Sequence, residues 1–197
     1  MQNVIKSISF DQSEILTNIL KLSSMEKFDA DITYSKGVFY RTIQQPTYKF
    51  DVAPRQAGTI QANAANLPVK NAAFSSVVFD PPFFFDSRSK GKDALMNARF
   101  SFFDTKLELL TFYEKVLLEV WRVLKPKGIL IFKCQDLVKC GKNHWLHIDV
   151  LNMAIKHNFI GKDLYILLAK SRMIGHNHAN QQHARKFHSY FWVFQKP

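Results

Sequence analysis

The run Ser75-Ser76-Val77-Val78-Phe79 and the Asp80-Pro81-Pro82-Phe83 that follows it constrain the fold of this chain more than any other segment. A short apolar, β-branched run predicts a strand buried on both faces, and such strands belong to parallel sheets covered by helices. Two prolines lack backbone N–H groups and have fixed φ, so the strand ends in a stiff turn whose carbonyls are free to accept hydrogen bonds. Open α/β sheets bind ligands at the carboxyl ends of their strands, which makes Asp80 a candidate site residue by position. The plainer alternative is that an acid and two prolines simply end a strand.

The rest of the chain extends the pattern. Ile15, Leu16, Ile19, Leu20 and Leu22 recur at helical spacing and predict a helix over residues 11–22, with Asp11 and Ser13 available as caps. Strands are expected over residues 28–34, ending in Ser35-Lys36-Gly37, and around residues 48–51, ending in Asp51. A weak strand falls near residues 59–62. Leu107, Leu110, Tyr113, Val116, Leu117, Val120 and Trp121 mark an amphipathic helix over residues 105–124, which Pro126-Lys127-Gly128 stops. A buried strand over 129–134, a helix over 145–157 and two strands, 165–169 and 190–194, complete the order. Strands alternating with helices imply an α/β fold, with a largely parallel sheet and helices on both faces. No internal repeat or linker is visible, so the reading is a single domain over residues 1–197.

The chain has 27 Lys and Arg against 16 Asp and Glu, a formal charge of +11 that favours a polyanionic partner. A solvated basic surface is the bland alternative. No apolar run approaches the roughly 18 to 20 residues of a membrane helix. With Cys134 and Cys140 as its two cysteines and no apolar leader, the sequence reads as cytoplasmic.

Asp80-Pro81-Pro82-Phe83 suits one chemistry well. An amino group turned into the turn has two protons to give, one to the Asp80 carboxylate and one to the Pro81 carbonyl, which holds the nitrogen lone pair toward a methyl donor. Phe83 would stack on the ring that carries the amino group. With the preceding Val77-Val78-Phe79, the later Arg122-Val123-Leu124-Lys125-Pro126-Lys127-Gly128 and the strand after it, residues 28–134 resemble Rossmann-like class I S-adenosylmethionine-dependent methyltransferases. Within them, the chain resembles the phage-like and bacterial amino DNA methylases of N6-adenine type.

This resemblance implies S-adenosylmethionine as cofactor and an exocyclic amino group, most simply adenine N6 in DNA, as target. Asp29 to Tyr40 resembles the first strand and cofactor loop, which implies cofactor roles for Asp31, Thr33, Tyr34 and Gly37. Asp51 matches the acid that takes the ribose hydroxyls. Asn63 stands where the family usually has an Asp at the adenine ring, and an amide can also bond to that edge. Asp80 would face both cofactor and base. The loop has one glycine where the family commonly has Gly-x-Gly. Arg122 to Gly128 reads as scaffold.

No separate target-recognition domain is visible. Substrate contacts are therefore expected from Phe83, from a charged insertion over residues 84–104 carrying Arg88, Lys90, Lys92 and Arg99, and from a basic loop over residues 170–188 carrying Arg172, Arg185 and Lys186. A homo-oligomer or a recognition subunit could supply more. The loop also holds His176, His178, His183 and His188, but it lacks a cysteine and a familiar zinc spacing, so no metal is expected. Cys134 and Cys140 read as ordinary thiols, since amino methylation needs no cysteine nucleophile. Two other readings stay open: an amino methyltransferase of ribosomal or transfer RNA, and a non-catalytic nucleic-acid-binding subunit with the same fold, motivated by the single-glycine loop and Asn63.

Overall fold

In the computed structural model, residues 4–85, 103–171 and 181–197 are described. Arg88, Lys90, Lys92, Arg99, Arg172, His176 and His178, named above as candidate contacts or ligands, lie outside these residues.

In chain order the elements are β1 (Ile8–Ser9), α1 (Gln12–Leu22), β2 (Ala30–Asp31), a 3-10 turn (Val38–Tyr40), β3 (Tyr48–Asp51), β4 (Ile60–Gln61) and β5 (Phe74–Phe79). Then follow α2 (Lys106–Val123), β6 (Leu124–Cys134), the hairpin β7 (Leu137–Lys139) and β8 (Lys142–His144), α3 (Leu146–Lys156), β9 (Ile160–Leu168) and β10 (His188–Gln195). Eight strands form one sheet in the order β1-β9-β10-β6-β5-β2-β3-β4. β10 runs antiparallel to both of its neighbours, and every other adjacent pair is parallel.

The two faces of the sheet explain why its central strands are apolar without alternation. Val77, Phe79, Leu130, Phe132 and Phe194 point to a core with Leu109, Tyr113, Val116, Leu117 and Val120 of α2 and Val150 and Ala154 of α3. Val78, Ile129, Ile131, Phe191 and Val193 point the other way, to Ile15, Leu16 and Ile19 of α1 and to Phe28, Tyr34 and Tyr40. Each fully buried side chain of this kind contributes about 1.5–3 kcal/mol relative to exposure. A polar substitution on either face of β5 or β6 therefore loses a core contact.

Caps set the helix starts. Asp11 caps α1 by accepting from Ser13 N at 2.8 Å, and Thr105 caps α2 by accepting from Glu108 N at 3.1 Å. The α2 helix ends at Val123 because Pro126 drives the preceding chain extended, and the next strand begins at Leu124 rather than at Ile129. Phe74 pairs with Leu124 and Ser76 with Ile129, so the Lys125–Gly128 stretch bulges out of the ladder. The strand expected over residues 28–34 shrinks to Ala30–Asp31, because the Asp29 amide bonds to Ser76 Oγ and the Asp31 carboxylate turns the chain by taking Thr33 N. β1 and the β7–β8 hairpin lack a sequence signal strong enough to predict them.

Parallel topology places the ends of β2, β3, β5 and β6 on one edge. The residues after β1 and β9, and the start of the reversed β10, join the same edge.

Candidate active site

Asp80 leaves β5 at this edge, half-buried, between the ends of β2 and β6. Its backbone N–H donates to Thr33 Oγ1 at 2.8 Å, and its Oδ2 lies 3.5 Å from Lys133 Nζ. Burial raises the Asp80 pKa, while the charge and hydrogen bond of Lys133 pull it down. The Pro-Pro turn is braced from below: Tyr113 Oη, on α2, donates to the Pro82 carbonyl at 2.7 Å. That bond ties the turn to α2.

Across from it, Asp31 ends β2 at 3% exposure. Its Oδ1 accepts from Thr33 N at 2.8 Å and its Oδ2 from Tyr40 Oη at 2.7 Å. Burial pushes the Asp31 pKa up to about 7, held from rising further by the Tyr40 and Thr33 hydrogen bonds and raised slightly by Asp80. Thr33 thus ties the two acids together, accepting from one residue's amide and donating to the other's carboxylate.

The remaining residues expected to meet a cofactor divide between the edge and the core. Tyr34 is buried, stacks on Tyr40 with ring centroids 5.8 Å apart, and belongs to the α1-side core. Gly37 has a φ of 65°, and a Cβ there would lie 2.4 Å from the Tyr34 hydroxyl, so its glycine is required by the turn and by Tyr34. Asp51 ends β3 with Oδ2 accepting from Ser35 N and Oδ1 from Ala53 N, both at 2.8 Å. Each of these oxygens keeps a second acceptor site. Asn63 is exposed, and its Oδ1 accepts from Ala65 N at 2.9 Å. The same side-chain amide also carries two N–H donors.

On the other side of Asp80 lies a cleft of about 500 Å³, lined among others by Phe10, Gln12, Phe83, Lys133, Gln135, Lys170 and His188. Phe83 is therefore brought to the cleft beside Asp80. Arg185 is exposed in the segment that leads into β10, on the same edge. A partly buried polar chain leads away from the cleft: His188 Nε2 and Tyr190 Oη are 2.9 Å apart, Tyr190 donates to Asp136 Oδ2 at 3.3 Å, and Asp136 Oδ1 meets His147 Nδ1 at 2.8 Å.

Sequence reasoning missed Lys133, Tyr113 and Tyr40 as site residues. Lys133 carried a signal, a lone charge in the apolar run Ile129-Leu130-Ile131-Phe132-Lys133-Cys134. Its ammonium bonds to Gln12 Oε1 at 3.1 Å and lies 4.6 Å from the centre of the Phe39 ring, so its position is fixed from α1 and the 3-10 turn as well as by Asp80. Among the described residues no group of His, Cys, Asp and Glu could hold a metal ion, and no helix is long and apolar enough to cross a membrane. Cys134 is buried and Cys140 exposed, and both are free thiols.

No protein-family model matches the sequence, and no curated protein matches it in sequence. Solved structures do. TTHA0409 of Thermus thermophilus, provisionally designated a DNA modification methylase, is 18% identical, with a TM-score of 0.52 over 76% of this chain and 54% of its own. The PvuII DNA methyltransferase, cytosine-N4-specific, is 17% identical, with a TM-score of 0.50 over 66% of this chain and 45% of its own. The [4+2]-cyclase SpnF is 12% identical, with a TM-score of 0.57 over 94% of this chain and 81% of its own. The chain thus spans about half the length of the two DNA methylases. At these identities the likeness speaks for backbone architecture, and it agrees with the strand order and the single reversed strand described above: this chain has the Rossmann-like fold of class I methyltransferases.

Proposed function

We propose that this protein is an S-adenosylmethionine-dependent methyltransferase acting on an exocyclic amino nitrogen of a nucleic-acid base, with adenine N6 in DNA as the first target to test. The fold alone does not carry this reading, since a cyclase shares it. The observation that carries it is the Asp80-Pro81-Pro82-Phe83 turn, braced by Tyr113, opening between the Asp31 carboxylate and a cleft that Phe83 lines.

The donor set of the edge fits the cofactor. Asp51 has acceptor capacity for a ribose diol, Asn63 has amide donors for an adenine edge, and Asp31 offers a carboxylate to a cationic methionine end. S-adenosylmethionine, when bound, supplies an electrophilic methyl group on sulfur.

The chain's own residues do the rest. Asp80 and the Pro81 carbonyl each accept one N–H of the amino group, which fixes the nitrogen and directs its lone pair away from the turn. Phe83 stacks on the base. Lys133 opposes the burial that raises the Asp80 pKa, and so favours the accepting carboxylate form. Once the nitrogen has gained a carbon it must lose a proton, and Asp80, already holding one N–H, is positioned to receive it.

The test is transfer of labelled methyl from S-adenosylmethionine to unmethylated DNA and, separately, to total RNA, followed by nucleoside mass analysis. N6-methyldeoxyadenosine is expected; methylcytosine at N4 or a mark in RNA would move the target while keeping the chemistry. Asp80→Ala should abolish transfer, a loss of at least about a hundredfold for a removed proton acceptor, while calorimetry still detects cofactor binding. Absence of any heat with S-adenosylmethionine, together with no label, would favour the non-catalytic reading.

A further inference from the structure

Among the described residues four aromatic side chains are exposed: Phe10 at 60%, Tyr48 at 46%, Trp145 at 44% and Phe84 at 38%. Single exposed aromatics are ordinary on a protein surface, so their number says little. Their placement says more. Phe10 follows β1, Phe84 follows the Asp80 turn, and Trp145 follows β8 beyond the end of β6, so three of the four stand on the carboxyl edge that carries Asp80. Tyr48, at the start of β3, is on the opposite edge.

Each of the three has a lysine over its ring, at 5.9 Å for Lys170 on Phe10, 5.9 Å for Lys139 on Phe84 and 4.3 Å for Lys186 on Trp145. The group is also continuous with the cleft. Phe10 and Lys170 line it together with Phe83 and His188. From His188 the contacts run through Tyr190 to His147, stacked at 4.3 Å, and on to Trp145, edge-on at 6.4 Å.

We propose that this edge binds an unpaired nucleic-acid strand, with bases stacking on Phe10, Phe84 and Trp145 and the backbone running past Lys170 and Lys186. A duplex keeps its base faces inside the stack, where exposed rings cannot reach them; an unpaired strand offers one face per nucleotide. Lysines beside the rings complement the phosphates that accompany each base. The proposal rests on the reading that the Asp80 turn receives a base, and it adds that the neighbours of that base are unpaired as well.

Fluorescence anisotropy with a labelled single-stranded DNA of about 20 nucleotides, the same sequence as a duplex, and its RNA counterpart tests this without cofactor or turnover. The single strand should bind at least about tenfold tighter than the duplex, and each of Phe10→Ala and Trp145→Ala should weaken it about fivefold to a hundredfold. Tyr48→Ala, on the far edge, should change nothing. Lys170→Ala and Lys186→Ala should each flatten the salt dependence of binding, by about 0.7 in log–log slope. Preference for DNA or for RNA identifies the source of the strand, and either supports the surface. Equal or tighter duplex binding, or unchanged single-strand affinity in aromatic variants whose thermal unfolding matches the parent, overturns it. Methyl transfer by the parent protein separates the two proposals: single-strand preference carried by Phe10 and Trp145 without any transfer sinks the Asp80 reading alone, and transfer with strand affinity unchanged in the aromatic variants sinks this surface alone.

Discussion

Asp31 shows how one side chain can be set by its surroundings to titrate near neutrality. Its burial raises the pKa from 3.8 to about 7, with Tyr40, Tyr34 and Asp80 the titratable groups around it. Between those values the unfolded chain has lost the Asp31 proton while the folded chain keeps it, so this group's contribution to stability falls as pH rises from about 4 to about 7. Asp31→Asn should therefore gain stability relative to the parent as pH rises from about 5 to about 7.5; parallel melting curves across that range would remove the assignment. Lys133 acts on the other acid. Lys133→Met keeps the stem between Phe39 and Phe191 but removes the charge that lowers the Asp80 pKa, so the acid limb of kcat/KM should move to higher pH, and Lys133→Arg should restore it. An acid limb that stays in place would show that Asp80 is not the group it reports.

At the level of elements, α2 does two jobs from two points along one helix. In its first half Tyr113 braces the Pro-Pro turn, and near its end Glu119 and Arg122 clamp the loop that follows β4. Glu119, 9% exposed, accepts from Leu67 N at 2.7 Å and pairs with Arg122 at 2.6 Å, while Arg122 donates to the carbonyls of Leu67 and Val69 and to Asn71 Oδ1. The expectation that the Arg122–Gly128 stretch is scaffold describes what Arg122 touches. Arg122→Ala leaves Glu119 and two carbonyls short of partners, at a cost of about 2 kcal/mol for so partly exposed an ion pair. Chemical denaturation should show that loss, with cofactor affinity weakened only so far as the loop carrying Asn63 loosens. An unchanged denaturation midpoint would mean that packing under α2, rather than the clamp, holds the loop.

For the molecule as a whole, a charge of +11 predicts that the nucleic-acid binding proposed above falls steeply with added salt. The proposed binding of S-adenosylmethionine would rest on short-range contacts and should fall much less; titrations of both ligands between low and physiological salt compare them directly. The order of elements was legible in the chain because each strand of the centre is a compact apolar run and each helix has its own period, with Asp11 also readable as the cap of α1. The Asp80 turn was legible for the same local reason: its two prolines dictate a stiff end to a buried strand. Isolated Ile8–Ser9 and the β7–β8 hairpin were not, since two or three residues carry no period and become strands through the partners they meet. Sequence by itself therefore determined the elements and the stiff Asp80 turn, which depend on neighbours along the chain. Only tertiary structure decided that Thr33 joins Asp31 to Asp80, that Lys133 faces Asp80, and that Phe10, Phe84 and Trp145 share its edge, because those meetings depend on the order in which strands lie side by side.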